Sequence, residues 1–272
     1  MLSSQAMIHP TAVVDPTAEL DEGVEIGPYA VIEKHARIGA GSVIGSSAYI
    51  GPWTTLGRDS KVYHQATIGS DSQAHAYLTG VRSYLIAGDG NTFREYCTLN
   101  RSSEEDGATR VGDGNTFMAF THVAHDCQVG NNCILANSAT IGGYVVVEDA
   151  AVLGGLVGVH QFCRIGAYCI IGSNSKINKD VLPFMLVDGH PARPYGVNVV
   201  GLRRNGFSKK AIREIRRAYR MMFLQGLLWD DVLSALRKEA PRSKDIASLL
   251  TFIEGTQRGV LRPRNKKGRT AK

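Results

Sequence analysis

The most regular feature of the chain is an apolar side chain at every sixth position. From Ile8 to Ile68 the series has no gap. It slips by one position between residues 69 and 86, fails at Glu105, and runs unbroken again from Val111 to Ile177. A period of six matches neither the 3.6-residue repeat of an amphipathic helix nor the alternation of a long strand.

A sustained period of six predicts short strands joined by tight turns around a three-sided prism, with three hexads in each coil of 18 residues. Neighbouring coils would pair as parallel strands about 4.8 Å apart. A small residue usually stands four positions after the apolar one, as at Ala30 and Ala36, and is expected to fill a corner. Glycine often follows the apolar residue directly, as at Gly27 and Gly39, and is expected to allow the turn.

The cysteines follow the same repeat, each at the small-residue position: Cys97, Cys127, Cys133, Cys163 and Cys169. A free cysteine behaves as a small buried apolar residue. The pattern therefore argues against a disulfide framework and against a metal cluster. Reduced thiols also suit a cytoplasmic protein.

The period divides the chain into three parts. Residues 1–190 are predicted to form the β-helix, with a protruding loop near residues 69–86 where the phase slips. Residues 191–260 are predicted to form a small helical domain, because apolar residues recur at helical spacing after a plausible N-cap at Ser208. Residues 261–272 are basic and are predicted to be a disordered tail.

Charge is distributed unevenly along the chain. Residues 1–202 contain 12 Lys and Arg against 19 Asp and Glu, whereas residues 203–272 contain 19 against 6. A basic region indicates an acidic partner, either nucleic acid or a small acidic carrier protein. Nucleic acid is disfavoured, because the tail lacks interleaved aromatic residues that stack on bases. No apolar run approaches the length of a membrane span and no signal peptide is recognisable, so the expected location is cytoplasmic.

The 18-residue coil converts sequence positions into approximate columns on the prism. His125, Gly143 and Gln161 fall in one column, with His122 on the same side and His160 next to Gln161. A neutral histidine in a groove is suited to general-base catalysis near pH 7. A glycine one coil away brings a backbone N–H close, as an oxyanion hole requires. The column holds no serine or cysteine nucleophile, which favours direct acyl transfer to a hydroxyl.

Two other interpretations of these histidines stay open at this point. They are ordinary surface residues in the first. In the second, His122 and His125 help to bind zinc between subunits, as histidines do in the gamma-class carbonic anhydrases. The spacing does not match the pattern of that family, so no metal site is predicted.

Four segments together resemble the UDP-N-acetylglucosamine 3-O-acyltransferases, which catalyse the first step of lipid A synthesis. They are His-Val-Ala-His-Asp-Cys at 122–127, Ile-Leu-Ala-Asn at 134–137, Val-His-Gln-Phe-Cys at 159–163, and Gly-Val-Asn at 196–198 with Gly-Phe-Ser at 206–208. The resemblance covers nearly the whole chain. It implies a left-handed parallel β-helix, a homotrimer, and active sites in the clefts between subunits.

The resemblance also implies roles for single residues. His125 would be the general base, Asp126 would orient it, and the Gly143 N–H would stabilise the oxyanion. The substrate-binding residues implied are Gln73, His122, His160, Gln161, Asn198 and Arg204. The donor would be an acyl chain on acyl carrier protein, with no cofactor, and the basic C-terminal domain would face that acidic carrier.

One column of small residues is implied to measure the acyl chain: Asn137, Gly155 and Ser173. In the family, the residue at the position of Ser173 closes the acyl groove, and a bulky side chain there shortens it. Serine is small, so a chain of about C12 to C16 is expected, with each buried methylene contributing about 0.8 kcal/mol.

Several positions depart from the common pattern of the family: Ala74, Ala76, Tyr144, Val200 and Asn205. Most of them belong to the acceptor-recognition shell, where charged groups usually contact the sugar and the phosphates. Three hypotheses follow. The chain acylates the 3-hydroxyl of UDP-N-acetylglucosamine, or it acylates another acceptor such as a 3-amino UDP-sugar, or it is a non-catalytic β-solenoid binding module.

Overall fold

The computed structural model describes residues 6–74 and 81–263. Short parallel strands build the prism, and each face of the prism is one sheet. In chain order the strands are β1 (Met7–Ile8), β2 (Val13–Val14), β3 (Glu19–Leu20), β4 (Glu25–Ile26), β5 (Val31–Ile32), β6 (Arg37–Ile38), β7 (Val43–Ile44), β8 (Tyr49–Ile50), β9 (Thr54–Leu56), β10 (Lys61–Val62), β11 (Thr67–Ser70), β12 (Tyr84–Ala87), β13 (Thr92–Phe93), β14 (Thr98–Asn100), β15 (Ala108–Val111), β16 (Thr116–Phe117), β17 (His122–Val123), β18 (Gln128–Val129), β19 (Ile134–Leu135), β20 (Thr140–Ile141), β21 (Val146–Val147), β22 (Val152–Leu153), β23 (Gly158–Val159), β24 (Arg164–Ile165), β25 (Ile170–Ile171), β26 (Lys176–Ile177), β27 (Met185–Gly189) and β28 (Ala192–Val197).

Up to β26, every third strand joins the same sheet. Sheet 1 runs β1-β4-β7-β10-β13-β16-β19-β22-β25-β27-β28, sheet 2 runs β2-β5-β8-β11-β14-β17-β20-β23-β26, and sheet 3 runs β3-β6-β9-β12-β15-β18-β21-β24. Partners such as Ile8 and Ile26 are 18 residues apart, which confirms the predicted coil. From Ile26 onwards the apolar residue of each hexad lies inside the prism, and the core is a continuous stack of these side chains, whereas Ile8 in the first coil is exposed.

Two insertions interrupt the 18-residue register, and both lie between sheet 2 and sheet 3. The first joins β11 to β12 and contains the predicted protruding loop, of which residues 75–80 lie outside the described part. The second joins β14 to β15 over residues 101–107 and explains why the hexad series fails at Glu105. Because of it, Thr98 pairs with His122 and not with the residue 18 positions later.

The glycines after the apolar residues do not have the role that the sequence suggested. The left-handed turn positions are mostly occupied by other residues, such as Tyr29, His35 and Asp126. Gly39 is needed for a different reason, since a Cβ atom there would lie 2.7 Å from the backbone nitrogen of Arg58 on the next coil. These glycines therefore permit close approach of successive coils.

The small-residue corners are packed as expected. Ala30 and Ala36 are fully buried, and all five cysteines are free and buried. Burial raises the pKa of the Cys97 and Cys127 thiols to about 12, so they are protonated and unreactive near neutral pH. Within residues 6–74 and 81–263, no group of His, Cys, Asp and Glu side chains is arranged to hold a metal ion.

The C-terminal part consists of short helices packed on the end of the prism. They are α1 (Val199–Arg204), α2 (Lys209–Phe223), α3 (Trp229–Glu239), a 3-10 helix (Ala240–Arg242) and α4 (Lys244–Glu254). The Ser208 hydroxyl caps α2 by accepting from the Ala211 N–H at 3.1 Å, as its position predicted. None of the described helices is long and apolar enough to cross a membrane.

The junction between prism and helices differs from the boundary placed at 190. Strands β27 and β28 form an antiparallel hairpin that continues sheet 1 to Val197, and α1 was not predicted. Of the tail from 261 onwards, only Leu261 to Pro263 are described. Leu261 is buried, and its N–H donates to the Asp180 carbonyl, so the start of the tail packs on the prism.

Candidate active site

Most of the predicted catalytic and acceptor residues share one edge of the prism. The turns between sheet 2 and sheet 3 carry His125 and Asp126 after β17, Gly143 after β20, and His160 and Gln161 after β23. We call this edge the histidine corner. Both insertions begin at this edge as well, because each joins a strand of sheet 2 to a strand of sheet 3. The predicted catalytic turns and the two insertions therefore lie along the same edge.

His125 and Asp126 form a hydrogen-bonded pair at this corner. The His125 Nδ1 atom lies 2.7 Å from the Asp126 Oδ2 atom, and the two side chains are 14% and 9% exposed. Asp126 has the left-handed backbone conformation of the turn, with φ 61°. This conformation folds the aspartate back towards the ring of its neighbour, which makes a contact between adjacent residues possible.

The Asp126 carboxylate is held by hydroxyl groups from the second insertion. It accepts from the Ser102 hydroxyl, from the Ser103 hydroxyl at 2.6 Å and from the Ser103 N–H at 3.1 Å. Burial is the largest single influence on Asp126 and opposes its ionisation. The hydrogen bonds from Ser102, Ser103 and His125 together outweigh it and lower the pKa of this carboxyl group.

An ionised carboxylate only accepts hydrogen bonds, so His125 must donate from Nδ1. In the neutral imidazole, Nε2 then carries a free lone pair and can accept a proton. This arrangement of a base oriented by a partly buried carboxylate is suited to removing a proton from a hydroxyl group.

Gly143 packs directly against the His125 ring, next to its Cε1 and Nε2 atoms. A Cβ atom at Gly143 would lie 2.6 Å from Cε1 and 2.8 Å from Nε2 of His125. Among the described residues, no hydrogen-bond acceptor is assigned to the Gly143 N–H. A backbone donor therefore remains beside the predicted base, as an oxyanion hole requires.

Tyr144, the next residue after Gly143, also contacts the His125 ring. Its ring meets the ring of His125 edge-on, with centroids 5.4 Å apart, and stacks on Phe162 of the next coil at 5.0 Å. The Tyr144 hydroxyl donates to Glu104 Oε1 at 2.9 Å. A residue that the sequence identified only as a departure from the family pattern thus contacts the predicted base.

His122 lies on β17, three residues before His125. Its Nδ1 atom is 2.8 Å from the Thr98 hydroxyl on β14. Burial, followed by the charge of the nearby His125, lowers the pKa of His122. His122 is therefore neutral near pH 7, so it can form hydrogen bonds with a substrate but not an ion pair.

His160 and Gln161 are exposed two coils beyond His125. The His160 Nδ1 atom contacts the Gln161 carbonyl at 3.0 Å. The Phe162 N–H donates to the Gly143 carbonyl at 3.0 Å, which fixes this turn directly above Gly143. The predicted column of His125, Gly143 and Gln161 is thus present.

The predicted acyl-chain residues stack as a column but at a different edge. The Leu156 N–H donates to the Asn137 carbonyl at 3.0 Å, and the Asn174 N–H donates to the Gly155 carbonyl at 2.8 Å. Ser173 follows in the same column and is exposed. These turns connect sheet 1 to sheet 2, so within one chain they do not face the histidine corner.

The predicted nucleotide contacts are also separate from His125. Asn198 is 7% exposed and caps α1, since its Oδ1 atom accepts from the Gly201 N–H and its Nδ2 atom donates to the Tyr168 carbonyl. Arg204, Val200 and Asn205 are exposed on α1 and at its C-terminal end. Gln73 and Ala74 lie in the first insertion, and Ala76 falls outside the described residues.

Sequence reasoning missed the residues of the second insertion. Ser102 and Ser103 hold Asp126, and Glu104 binds Tyr144. Arg101 is buried and binds both ends of the first insertion, through Asp71 and through the Ser83 carbonyl. The failed hexad at Glu105 was the available signal, because it marked extra chain at the edge that carries His125.

The chain is similar to proteins of known family over most of its length. Residues 180–261 match the family profile described as UDP N-acetylglucosamine O-acyltransferase, domain 2, and residues 108–143 match the bacterial transferase hexapeptide repeats. Proteins named acyl-[acyl-carrier-protein]–UDP-N-acetylglucosamine O-acyltransferase are 54% identical in Alkalilimnicola ehrlichii and 50% identical in Halorhodospira halophila. Each alignment covers 94% of this chain and 99% of the relative.

Solved structures show the same fold. The UDP-N-acetylglucosamine acyltransferase of Francisella novicida superposes with a TM-score of 0.93 at 33% identity, covering 95% of each chain. The UDP-N-acetylglucosamine O-acyltransferase of Moraxella catarrhalis superposes with a TM-score of 0.90 at 40% identity, covering 94% of this chain and 99% of that one.

The chain is therefore an acyltransferase of the hexapeptide-repeat class, with the expected left-handed β-helix. Its similarity over nearly the full length of these relatives is decisive for the finer assignment. The chain belongs to the family of acyl-[acyl-carrier-protein]–UDP-N-acetylglucosamine O-acyltransferases.

Proposed function

We propose that this protein transfers an acyl or 3-hydroxyacyl chain from acyl carrier protein to the 3-hydroxyl of UDP-N-acetylglucosamine. The observation that carries the proposal is the partly buried, hydrogen-bonded His125–Asp126 pair with Gly143 against the ring. Family membership supplies the two substrates. The reaction needs no cofactor, since the carrier thioester is already activated.

The chemical step follows from the arrangement of His125. The Nε2 atom takes the proton of the acceptor 3-hydroxyl while the oxygen attacks the thioester carbonyl carbon. The resulting oxyanion accepts a hydrogen bond from the Gly143 N–H. The carbon–sulfur bond then breaks, and the proton on Nε2 passes to the leaving thiolate to give the free carrier thiol and the ester.

The remaining predicted residues would bind substrates. His122, His160 and Gln161 line the histidine corner and are proposed to contact the sugar, with Gln73 approaching from the first insertion. Asn198 and Arg204 are proposed to contact the nucleotide, although the Asn198 side chain already caps α1. The Asn198 Oδ1 atom has a second lone pair, which could accept from the nucleotide while the first keeps the cap of α1 intact.

A site shared between subunits accounts for the separation of the two edges. Asn137, Gly155 and Ser173 cannot serve His125 of their own chain, because they lie at another edge of the prism. A homotrimer that packs one edge of each chain against a different edge of its neighbour would bring the acyl column to the base. We therefore propose a homotrimer, and a cytoplasmic location that agrees with five free thiols.

The basic helices are proposed to receive the carrier protein. Helix α2 exposes Arg213, Arg216, Arg217 and Arg220 along one side. Opposite charge accelerates encounter with an acidic partner and makes the rate sensitive to salt. We expect the apparent second-order rate constant for the carrier protein to fall as the ionic strength rises. The rate at saturating carrier protein should stay unchanged.

A transfer assay tests the function. Purified protein is mixed with 3-hydroxyacyl carrier proteins of C10 to C16 and UDP-N-acetylglucosamine, and the product is identified by mass spectrometry and by its lability in alkali. His125→Ala is expected to lose about two to four orders of magnitude in rate. His9→Ala, an exposed histidine at the far end of the prism, is the matched control.

The acceptor is tested in the same assay. Ala74, Val200 and Asn205 stand where charged groups are common, so a 3-amino UDP-sugar is offered in parallel. An alkali-labile ester from the hydroxyl acceptor supports the proposal. An alkali-stable amide formed only from the amino sugar would show that the acceptor is a 3-amino UDP-sugar and that the acyl-transfer chemistry is retained. The absence of product from both acceptors would contradict the proposal.

A further inference from the structure

The second insertion reaches the catalytic pair through consecutive side chains. Ser102 and Ser103 both donate to Asp126, on Oδ1 and Oδ2 respectively. The Asp126 Oδ2 atom receives the Ser103 hydroxyl at 2.6 Å, the Ser103 N–H at 3.1 Å and the His125 Nδ1 at 2.7 Å. The atom that orients His125 is thus the same atom that Ser103 holds twice.

The direction of these hydrogen bonds is set by the number of protons available. The Ser103 hydroxyl has one proton and lies 2.6 Å from Asp126 but 3.3 Å from the Tyr144 hydroxyl. An ionised carboxylate is the stronger acceptor, so this proton goes to Asp126. The Tyr144 proton goes to Glu104 at 2.9 Å, so neither hydroxyl has a proton left for the 3.3 Å contact between Ser103 and Tyr144.

Tyr144 is placed to keep Ser103 where it is. Its ring is held between His125, which it meets edge-on, and Phe162, on which it stacks. Its hydroxyl is tied to Glu104, the residue next to Ser103. The Glu104 N–H in turn donates to the Ser102 hydroxyl at 3.0 Å. The tyrosine thus links the coil that carries Gly143 to the insertion that carries Ser102 and Ser103.

We propose that Ser103 is a positioning residue for the His125–Asp126 pair, and that Tyr144 acts through Glu104 to hold Ser103 in place. This inference rests on the proposed function for its kinetic consequence, but its structural content is independent. Ser103 fixes the Asp126 carboxylate, and the carboxylate fixes the Nδ1–H tautomer that leaves Nε2 free. Neither Ser103 nor Tyr144 takes part in bond making.

Within residues 6–74 and 81–263, three titratable side chains are recorded as acting on the pair or on Tyr144 beside it. His122 faces His125 from β17, Asp126 adjoins it in the turn, and Glu104 approaches from the insertion behind Tyr144. The lowered pKa of His122 keeps that neighbour uncharged near pH 7. The tautomer of His125 therefore depends chiefly on Asp126 and on whatever holds Asp126.

Kinetic variants give the first test. Ser103→Ala is expected to lower kcat roughly 10- to 100-fold, in keeping with the loss of a hydrogen bond to a charged group. The KM for the UDP-sugar is expected to stay within about twofold. Ser103→Thr keeps the hydroxyl and should restore most of the rate. Ser234→Ala, which removes an exposed hydroxyl on α3, is the control.

The role of Tyr144 is tested by a double mutant. Tyr144→Phe removes only the hydroxyl and keeps the stacked ring, and a loss of roughly 3- to 10-fold in kcat is expected. If Tyr144 acts through Ser103, the double variant Ser103→Ala with Tyr144→Phe should be no slower than Ser103→Ala alone. Losses that multiply would overturn the link between the two residues.

A spectroscopic measurement separates this inference from the proposed activity. In protein labelled with ¹⁵N histidine, His125 of the wild type is expected to show the Nδ1–H tautomer, with a proton protected from exchange. The signal should be lost or exchange-broadened in Ser103→Ala and retained in Ser103→Thr. An unchanged signal together with kcat within twofold of wild type in Ser103→Ala would overturn the inference.

The two failures are distinguishable. If the wild type forms no product in any assay but the His125 tautomer depends on Ser103, the positioning role stands and the proposed reaction fails. If product forms and neither the signal nor the rate responds to Ser103→Ala, the reaction stands and the positioning role fails. Proper folding is checked in each variant by its circular dichroism spectrum.

Discussion

A Cβ atom on Gly143 would lie 2.6 Å from Cε1 of His125, closer than any ordinary carbon contact. The residue that leaves a backbone N–H free beside the base is also the residue whose lack of a side chain lets the base occupy its position. Gly143→Ala therefore tests whether the ring and the backbone must be in contact for catalysis.

We expect Gly143→Ala to lower kcat by about two to three orders of magnitude, because the added methyl displaces the imidazole from the N–H proposed to stabilise the oxyanion. Steady-state kinetics at a saturating concentration of the UDP-sugar acceptor measures this change. Gly158→Ala is the matched control, since a Cβ atom there meets nothing within 4 Å. Equal rates for the two variants would count against an oxyanion role for Gly143.

Arg101 is expected to govern binding of the acceptor. Its side chain is 3% exposed, and its guanidinium pairs with Asp71 and donates to the Gly69 and Ser83 carbonyls, so it joins both ends of the loop that carries Gln73. Lysine cannot reproduce this fork. We predict that Arg101→Lys raises the KM for the UDP-sugar at least tenfold and changes kcat less.

The control for Arg101 is Arg37→Lys, which alters an exposed ion pair with Glu19. Exposed pairs of this kind contribute about 1 kcal/mol at most. A fall in kcat at unchanged KM in Arg101→Lys would show that the loop does not position the acceptor.

Ser173 is expected to set the length of the acyl chain. Ser173→Met should shift the preferred donor to a chain about two to four carbons shorter, because the larger side chain would fill the end of the proposed acyl groove. Each methylene excluded from an apolar groove costs about 0.8 kcal/mol, or roughly fourfold in kcat/KM. Competition between C10 and C14 carrier proteins measures the shift, and an unchanged product ratio would remove Ser173 from the groove.

His122 predicts a specific dependence of stability on pH. Its pKa is lowered from 6.5 in the folded state by burial, so the unfolded chain binds the proton more readily. The stability that neutral His122 contributes is fully present above pH 6.5 and is lost as the pH falls through the lower folded-state pKa.

We therefore expect His122→Gln to reduce the fall in Tm between pH 8 and pH 5 relative to the wild type. Thermal unfolding of both proteins at both pH values gives the comparison. A steeper fall in the variant would mean that His122 is protonated favourably in the fold, contrary to its burial.

Asp180 is expected to hold the C-terminal segment on the prism. The buried carboxylate accepts from the Arg164 N–H at 2.8 Å and from the Thr256 hydroxyl, and its carbonyl accepts from Leu261. Asp180→Ala should destabilise the fold by about 1.5–3 kcal/mol, the range for hydrogen bonds to a charged group. Urea unfolding followed by circular dichroism measures this, with exposed Asp21→Ala as the control; equal midpoints would contradict it.

The sequence predicted the prism because its repeat is a direct consequence of geometry. One apolar residue must face inward on each side of each coil, so an unbroken series such as Ile8 to Ile68 fixes the period, the coil length and the columns. The column of His125, Gly143 and Gln161 could be identified for the same reason. Ser208 was predictable because helix capping depends on neighbours in the chain.

The sequence alone therefore determined which residues share an edge of the prism and, through the His-Val-Ala-His-Asp-Cys segment, which family the chain resembles. Only the tertiary structure showed that Ser103 and Tyr144 converge on the His125–Asp126 pair, because irregular insertions obey no period and their side-chain contacts depend on how the chain folds back. The same reason applies to Arg101 and to the cap made by Asn198. A repeat specifies positions through local spacing, whereas the contacts that complete a site are made between segments that spacing cannot relate.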